Sequence, residues 1–484
     1  MNHPLSKLTP PLLWQHFYQL TQIPRPSHHE SAVQSYVLQL GNKLGFETLR
    51  DESDNILIRK PATPGMEHAS GVILQGHLDM VPQSNAETLH DFTKDPIKVC
   101  IEQDWVKACG TTLGADNGIG VAAALAVLES KQVKHGPLEA LFTSNEEDGM
   151  TGAFGIKSDL LQGRFMLNMD SEDEGVLCIG CAGGANVTAT LDYQPEGLAP
   201  GRMGYVLSVS GLKGGHSGVD IHRGRGNANK LLFRLLANAA QQFNVDLCRV
   251  AGGNMRNAIP RETEAAIAIA ASDVNRFKNY LNEQIDLIQL ELSQVEPTLT
   301  IVMLPDDTVA DCLPDKLKQS LLDCLAVVPH GVVRMSDAMS GLVETSTNLA
   351  IVNVSKGAIE VKSLVRSSVD SARDNLIAEH QALFRLIGAD TQVDGLYPGW
   401  KPNLASPLLK TMQHTYQEIF DTSAEIGAIH AGLECGIIGG KYEALDMISF
   451  GPTIRYPHSP DECMHIPSVQ RFWDLLVATL ARLT

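Results

Sequence analysis

Short apolar segments alternate with helical segments between about Ser31 and Asp170, a pattern typical of a parallel or mostly parallel α/β sheet. Three of these segments stop at polar residues: VILQ before Gly76 and His77, LEALFTS before Asn145–Glu147, and FMLNM before Asp170. The glycine-rich TTLGADNGIG leads into the apolar helix IGVAAALAVLE. Because ligands of open α/β sheets bind beyond the carboxyl ends of the strands, these polar clusters predict a functional site there.

The pattern changes in the middle of the chain. Alternating strands, an amphipathic helix at Asn227–Phe243 and a second helix around Val274–Leu292 predict an inserted α+β domain. Further on, LLKTMQHTYQEIF is helical in pattern and ALDMISF is typical of a buried strand, so the first domain is completed late. We therefore predict a discontinuous α/β domain of residues 1–183 and 395–484, and a second domain of residues 184–394, since 484 residues exceed one ordinary core.

Charge and cysteine content narrow the partners and the compartment. A net charge of −18, from 56 acidic and 38 basic residues, argues against nucleic acid and anionic membranes as partners. The basic run HRGRGNANK is better explained as a loop that starts a helix. MNHPLSKLTPPLLWQHF lacks the pattern of an export leader, no apolar run reaches about 20 residues, and the nine cysteines suit a reducing compartment. We expect a cytoplasmic protein.

Two polar motifs are only weak evidence for a metal site when each is taken by itself. His77 and Asp79 form an HxD sequence at a strand end, where the period of two points both side chains to one side. An imidazole that binds a metal usually donates its other N–H to a carboxylate, and Asp79 is placed to accept it. Asp116 lies in the glycine-rich turn before the apolar helix, where helix capping is its commoner role, although Asn117 is able to take the cap instead.

Further candidate ligands lie in an acidic run and at two isolated positions. In the NEED run at 145–148, crowded carboxylates would repel unless a cation or a shared proton relieved them, but a solvated acidic loop explains the run equally well. Asp170 ends another apolar strand. His458 lies between prolines in YPHSP, and a lone loop histidine is more often a surface residue than a ligand.

Together the five candidate ligands follow one another along the chain in the order His, Asp, Glu, Asp, His, and each lies at a strand end or in the adjoining loop. Nitrogen and oxygen ligands suit zinc, manganese or cobalt. Five ligands exceed the three protein ligands of one catalytic zinc, but they suit two metals that share a bridging carboxylate. Asp116, in its flexible turn, is the natural bridge.

Five strings in this order resemble the dinuclear metallopeptidases related to aminoacylase and carboxypeptidase G: HLDMVP, LGADNGIG, TSNEEDGMTGA, NMDSE and YPHSPDE. Longer strings are similar to the dipeptidase branch of that family: LQGHLDMVPQ, SGLKGGHSGVDIHRGRGNANK, HAGLECG and SFGPTIRYPHSPDE. The resemblance covers nearly the full chain. It implies a zinc-peptidase-like catalytic domain, with residues 184–394 as a lid and dimerisation domain.

The resemblance also implies a role for each polar residue. One metal would be bound by His77 and Asp170, the other by Glu147 and His458, with Asp116 as the bridge, Asp79 orienting His77 and Glu146 as general base. Two divalent ions per subunit follow, with zinc expected first and manganese or cobalt also suited to these ligands.

The lid domain would contribute further residues by the same resemblance. His216 in GGHSG is expected to polarise the scissile carbonyl, in its own subunit or across a homodimer formed through the lid. Asn257 in RNAIPRE, Arg366 in VRSSVD, and Gly432 and Glu434 in HAGLECG are expected to contact substrate.

The function that follows is metal-dependent hydrolysis of unblocked dipeptides, including Xaa-His dipeptides such as carnosine, by an activated water. The absence of GxSxG and HExxH sequences argues against a serine nucleophile or a zincin helix. Two alternatives stay open. One is an N-acyl-amino-acid deacylase of the same family, and the other is a non-catalytic relative that binds metal or peptide, against which the retention of Glu146 argues.

Overall fold

The computed structural model describes residues 3–483, and the chain divides into two compact units. The first unit comprises the chain up to Gly180, Pro402–Ala428 and the chain from Leu433 onward, whereas the second comprises Cys181–Lys401 and Ile429–Gly432. The short segment Ile429–Gly432 belongs to the second unit because the N–H of Ala182 lies 3.2 Å from the carbonyl oxygen of Ile429 and 2.9 Å from that of Ala431. The hydrophobic pattern of the chain does not reveal this excursion.

An eight-stranded sheet forms the centre of the first unit. In spatial order its strands are Glu47–Arg50, Ile56–Lys60, Leu138–Thr143, Val72–His77, Phe165–Asn168, Asp446–Ser449, Val176–Cys181 and Glu425–Ile429. The four strands from Leu138–Thr143 to Asp446–Ser449 pair in parallel, whereas the neighbouring strands on both sides add antiparallel pairs. The predicted α/β class is therefore confirmed, with parallel pairing confined to the centre of a mixed sheet.

Helices of the first unit pack on this sheet or on one another. They are Pro11–Thr21, Ser31–Leu44, Ala115–Glu129, Thr151–Gly155, Pro407–Phe420, Glu434–Lys441 and Ile466–Leu480. Ala115–Glu129 is apolar on all sides and almost entirely buried, as expected for a helix enclosed by other elements. A separate four-stranded sheet is formed by Ile454–Arg455, Cys463–His465, Trp105–Ala108 and Val99–Glu102.

A nine-stranded antiparallel sheet forms the second unit. Its strands follow the order Thr300–Pro305, Arg202–Ser210, Thr263–Ala270, Val245–Gly252, Val343–Ser355, Ala358–Ser367, Gly183–Asp192 and Asp390–Tyr397, with Gly331–Met335 paired to Val343–Ser355. Two short pairs join Glu196–Gly197 to Asp311–Cys312 and Gly215–His216 to Ala258–Ile259.

The helices of the second unit are Ala228–Ala240, Val274–Leu292, Asp315–Val327 and Asp370–Leu386, with a 3₁₀ turn at Ile221–Arg223. Side chains such as Phe233 and Phe277 pack against sheet residues such as Ile267 in one buried core. The expected amphipathic helix begins at Ala228 because Asn227 caps it, its side-chain oxygen accepting from the N–H of Lys230 at 3.1 Å. The second expected helix also forms.

Within residues 3–483 the structure contains no helix that combines the length and the apolar character needed to cross a bilayer.

Candidate metal centre

His77 ends a fully buried strand of the parallel centre and is 1% exposed. Its Nε2 lies 3.1 Å from Oδ1 of Asp116 and 3.2 Å from Oδ1 of Asp170. Burial alone would lower the pKa of His77, but Asp170 and Asp116 raise that pKa well above its ordinary value. One imidazole nitrogen and two carboxylates therefore converge on one point.

A second set of ligand atoms converges around His458. Its Nε2 lies 3.1 Å from Oδ2 of Asp116 and 3.0 Å from Oε2 of Glu147. These two carboxylates raise the pKa of His458 to about 11. His458 adopts a left-handed backbone conformation, with φ of 61°, and such strain is typical of functional loops. Asp116 therefore offers one carboxylate oxygen to each histidine.

The donor atoms fit bound cations. The groups His77–Asp116–Asp170 and Asp116–Glu147–His458 each have ligand atoms within 4.8 Å of one another, as does a third group of His77, Glu146 and Glu147. Oε1 of Glu147 and Oδ1 of Asp170 are buried and accept no hydrogen bond from the described part of the chain. A cation would supply the partner that these buried oxygens lack.

Asp79 connects the strand of His77 to the glutamate loop. Its carboxylate accepts from the N–H groups of Glu146 (2.9 Å) and Glu147 (3.1 Å) and from the hydroxyl of Ser27 (2.8 Å). Its Oδ1 also lies 3.4 Å from Nδ1 of His77. Asp79 therefore contacts both the imidazole and the backbone of the two glutamates, and its role in orienting His77 stays a prediction.

Glu146 is partly buried beside the ligands. Burial and the neighbouring carboxylates, among them Asp170, raise the pKa of Glu146 well above its ordinary value. A carboxyl group in this environment suits proton transfer better than an exposed one does.

Neither Asp116 nor Asn117 caps the apolar helix. Both have non-helical backbone angles, and the amide of Asn117 instead donates to the carbonyl of Met169 at 2.6 Å. The peptide bond between them is cis. Because its side chain does not cap the helix, the carboxylate of Asp116 is left to the two histidines.

Glu434 lies in the first unit and has no exposed surface. Its Oε2 accepts from the amide of Gln75 at 2.6 Å and from the hydroxyl of Thr143 at 2.7 Å, whereas its buried Oε1 has no hydrogen-bond partner among residues 3–483. Burial raises the pKa of Glu434 to about 7. Contact with substrate stays a prediction for this residue.

Within the second unit, His216 and Arg366 lie close together around Gly218. A Cβ on Gly218 would meet Cε1 of His216 at 3.1 Å, Cδ of Arg366 at 3.2 Å and the carbonyl of His430 at 2.0 Å. Nδ1 of His216 accepts from the N–H groups of Gly218 and Val219, at 3.2 and 3.0 Å. The Nε2 of the neutral imidazole then carries the proton.

The remaining expected residues of the second unit are less enclosed. Asn257 is exposed, and its carbonyl accepts from the N–H of Ser217 at 2.8 Å. Gly432 is partly exposed in the segment Ile429–Gly432.

Sequence reasoning did not single out His430, which is 6% exposed and bonded through Nε2 to the hydroxyl of Ser346 at 2.7 Å. Its presence in HAGLECG was the available signal.

The mixed sheet, the separate antiparallel unit and the paired ligand sets define a metallopeptidase of a known class. The chain belongs to peptidase family M20/M25/M40, whose pattern it matches over residues 73–482. Members of this family depend on metal, in agreement with the ligand groups around Asp116.

Two relatives that match nearly the full chain are dipeptidases. The chain is 47% identical over 479 residues, or 98% of each protein, to the cytosol non-specific dipeptidase of Escherichia coli. It is 45% identical to the aminoacylhistidine dipeptidase of Vibrio alginolyticus, whose crystal structure matches 100% of this chain and 99% of that one with a TM-score of 0.94. An aminopeptidase PepT from Bacillus cereus, 15% identical with a TM-score of 0.58, shares the fold over 98% of this chain and 99% of its own. The resemblance inferred from the motifs is confirmed.

Proposed function

We propose that this peptidase hydrolyses unblocked dipeptides, including Xaa-His dipeptides such as carnosine, in the cytoplasm. The observation that carries the proposal is the division of Asp116 between His77 and His458, which makes two adjacent ligand sets. The near full-length relatives named above, a cytosol non-specific dipeptidase and an aminoacylhistidine dipeptidase, support the substrate class and the compartment.

Two divalent ions per subunit fit the five ligands, with His77 and Asp170 on one, Glu147 and His458 on the other, and Asp116 between them. Zinc suits this mixture of imidazole and carboxylate first, and manganese and cobalt suit it as well. When bound, the ions lower the pKa of a water and polarise the scissile carbonyl.

Glu146 takes the proton of the attacking water and returns it to the leaving amine. Asp79 keeps Glu146 and His77 in place through the backbone of the loop and through Nδ1 of the imidazole.

His216 is proposed to donate its Nε2–H to the carbonyl oxygen as negative charge develops there. Burial and the charge of Arg366 lower the pKa of His216 to about 4, so the ring is a neutral donor at physiological pH. Arg366, whose Nη1 is held by the hydroxyl of Tyr397 at 3.0 Å, would bind the substrate carboxylate. Asn257, Gly432 and Glu434 complete the proposed substrate contacts.

The second unit is also proposed to form a homodimer. Its edge strand Thr300–Pro305 pairs on one side with Arg202–Ser210, and the described chain provides no strand for its other side. Val302 and Leu304 on this strand are 40% and 61% exposed. An exposed apolar edge strand favours pairing with another chain.

One experiment tests the activity. Metal-free protein is reconstituted stepwise with zinc, manganese or cobalt, and rates are measured on carnosine, other Xaa-His dipeptides and N-acetyl amino acids. Cleavage of the free dipeptides in preference to the blocked compounds is expected. Preference for the N-acetyl compounds would indicate a deacylase, and metal binding without any turnover would indicate a non-catalytic relative.

A further inference from the structure

The loop that carries Asp116 is held by a buried carboxylate from a distant part of the chain. Oε2 of Glu462 accepts from the N–H groups of Leu113 (2.7 Å) and Gly114 (2.9 Å), and its Oε1 accepts from those of Ala115 (2.8 Å) and Asp116 (3.2 Å). Glu462 is 2% exposed. Four successive amides therefore point at one carboxylate, which fixes the backbone that leads into Asp116.

A buried arginine holds the same loop by the carbonyl of Gly114. Nη2 of Arg25 donates to the carbonyl of Gly114 at 2.5 Å, and Nη1 donates to the carbonyls of Leu78 (2.8 Å) and Asp79 (2.9 Å). Arg25 is 2% exposed. One rigid guanidinium therefore joins the loop of Asp116 to the residues that follow His77.

Two glycines of LGADNGIG make room for this guanidinium. A Cβ on Gly114, whose φ is 70°, would lie 2.7 Å from Nη2 of Arg25, and a Cβ on Gly118 would lie 2.6 Å from the same atom. Gly118 has no such left-handed φ, so a side chain there is opposed mainly by Arg25 and, at 3.3 Å, by Cε2 of Phe17. The glycines of this motif accordingly serve the arginine as well as the turn.

The charge of Arg25 lies among the carboxylates of the site. Burial lowers the pKa of Arg25, whereas Asp79, Glu462, Asp116 and Glu147 oppose that effect. Its positive charge therefore lies within electrostatic reach of two ligand carboxylates. The backbone on which Asp116 stands has little freedom, because the four N–H groups of residues 113–116 and the carbonyl of Gly114 are engaged.

We propose that Arg25 and Glu462 are positioning residues that hold the carboxylate of Asp116 between His77 and His458, so that both metals bind tightly. This inference rests on the proposed two-metal function. Asp116 must present one oxygen to each histidine, and a small rotation of its loop would leave only one of them served. We call Arg25 and Glu462 the clamp. Its loss should therefore weaken the more weakly bound metal, here called the second metal, more than the tightly bound first one.

The variants are Glu462→Gln and Arg25→Lys. In either orientation the amide NH₂ of glutamine would face two backbone N–H groups, since each oxygen of Glu462 accepts from two. Lysine keeps the charge of Arg25 but lacks the fork that reaches three carbonyls. Gly118→Ala perturbs Arg25 without changing any charge or polar group.

Glu139→Gln is the matched control. Glu139 is 5% exposed, accepts from the N–H groups of Gln162 and Gly163 at 2.8 Å each, and is bonded to Nε of Arg59 at 3.0 Å. It has the same kind of partners as Glu462 but lies near the start of Leu138–Thr143, at the other end of that strand from Glu147. It reports the cost of losing a buried carboxylate without touching the ligands.

Metal-free proteins are titrated with Co²⁺ against a competing chelator, with visible absorption as the signal and circular dichroism as the check on folding. We expect Glu462→Gln and Arg25→Lys to weaken the second metal about 10- to 100-fold, the usual effect of losing a residue that supports a ligand. Glu139→Gln should bind two metals as the unchanged protein does.

Two tightly bound metals in Glu462→Gln and Arg25→Lys would overturn the proposal, as would equal weakening in Glu139→Gln. If Glu462→Gln does not fold, Gly118→Ala decides, because wild-type metal affinity in that variant would also contradict the clamp. A single metal in the unchanged protein would refute the two-metal function instead. The clamp would then be judged by whether Glu462→Gln weakens that one site.

Discussion

Glu146 and Glu147 are neighbours in the chain and differ in their surroundings. Oε2 of Glu147 lies 3.0 Å from His458, whereas Glu146 has a strongly raised pKa and belongs to a group with His77. Asp79 holds both residues by their backbone, because its two oxygens accept from the two successive N–H groups. At the residue scale, one carboxylate outside the proposed ligand set therefore binds the backbone of both a candidate base and a candidate ligand.

Replacement of Glu146 by alanine should reduce kcat by at least about 10²–10⁴-fold while both metals are retained, because the proton acceptor is lost and no proposed ligand is changed. Turnover of carnosine and metal content by atomic absorption are the measurements. Asp148→Asn, on the same loop but exposed and paired with His28, should keep its activity. A metal-loaded, fully active Glu146→Ala protein would rule out this residue as the base.

His216 should make stability depend on pH. Burial and Arg366 lower the pKa of His216 to about 4, below its value in the unfolded chain, so unfolding takes up a proton in acid. The stability that depends on a neutral His216 is complete above about pH 6.5 and declines as the pH falls towards 4. Denaturant unfolding across this window should show a shallower decline for His216→Gln. His68→Gln, at an exposed position, is the control, and equal slopes for both variants would contradict the assignment.

At the scale of elements, strand ends and helix starts place the chemistry. His77 is the last residue of the strand Val72–His77, and Asp116 lies at the start of Ala115–Glu129. A side chain on Gly76 would come within 2.3 Å of Oδ1 of Asn117, so the strand and the loop are in close contact. The short motifs are therefore packing requirements of these elements as well as sources of ligands.

Asn227 gives a test of an element that does not depend on the metal site. Asn227→Ala should lower the free energy of unfolding by about 0.5–2 kcal/mol, because the N–H of Lys230 loses its cap. The carbonyl of Leu349 would also lose a donor at 2.9 Å. Asn238→Ala, exposed within the same helix, should have little effect on urea unfolding. Similar losses in the two variants would mean that the cap contributes nothing.

At the scale of the whole molecule, the edge strand of the second unit predicts the oligomeric state. Leu304→Glu should halve the mass measured by light scattering, since it places a charge on an apolar edge that we propose to be covered by a second copy. Leu89→Glu, at a fully exposed leucine of the first unit, should leave the mass unchanged. A dimeric Leu304→Glu protein would exclude this edge, and a monomeric parent protein would exclude the homodimer.

The sequence by itself determined the α/β class, the strands of the parallel centre and the residue types gathered at their ends. These features can be predicted because apolar periodicity, and the polar residues that interrupt it, are visible within a short stretch of sequence. The five candidate ligands lie at such interruptions. Family resemblance then distributed roles among His77, Asp116, Glu147, Asp170 and His458. The structure brings all five side chains together.

Only the tertiary structure decided how the loop of Asp116 is held. The bonds of Glu462 reach back 346 to 349 residues, and those of Arg25 reach forward 53, 54 and 89 residues. Hydrogen bonds from side chains to distant backbone groups leave no periodic trace, because the backbone partner has the same N–H or C=O whatever its side chain. The five candidate ligands could therefore be found from local pattern, whereas Arg25 and Glu462, which hold the loop of Asp116, could not.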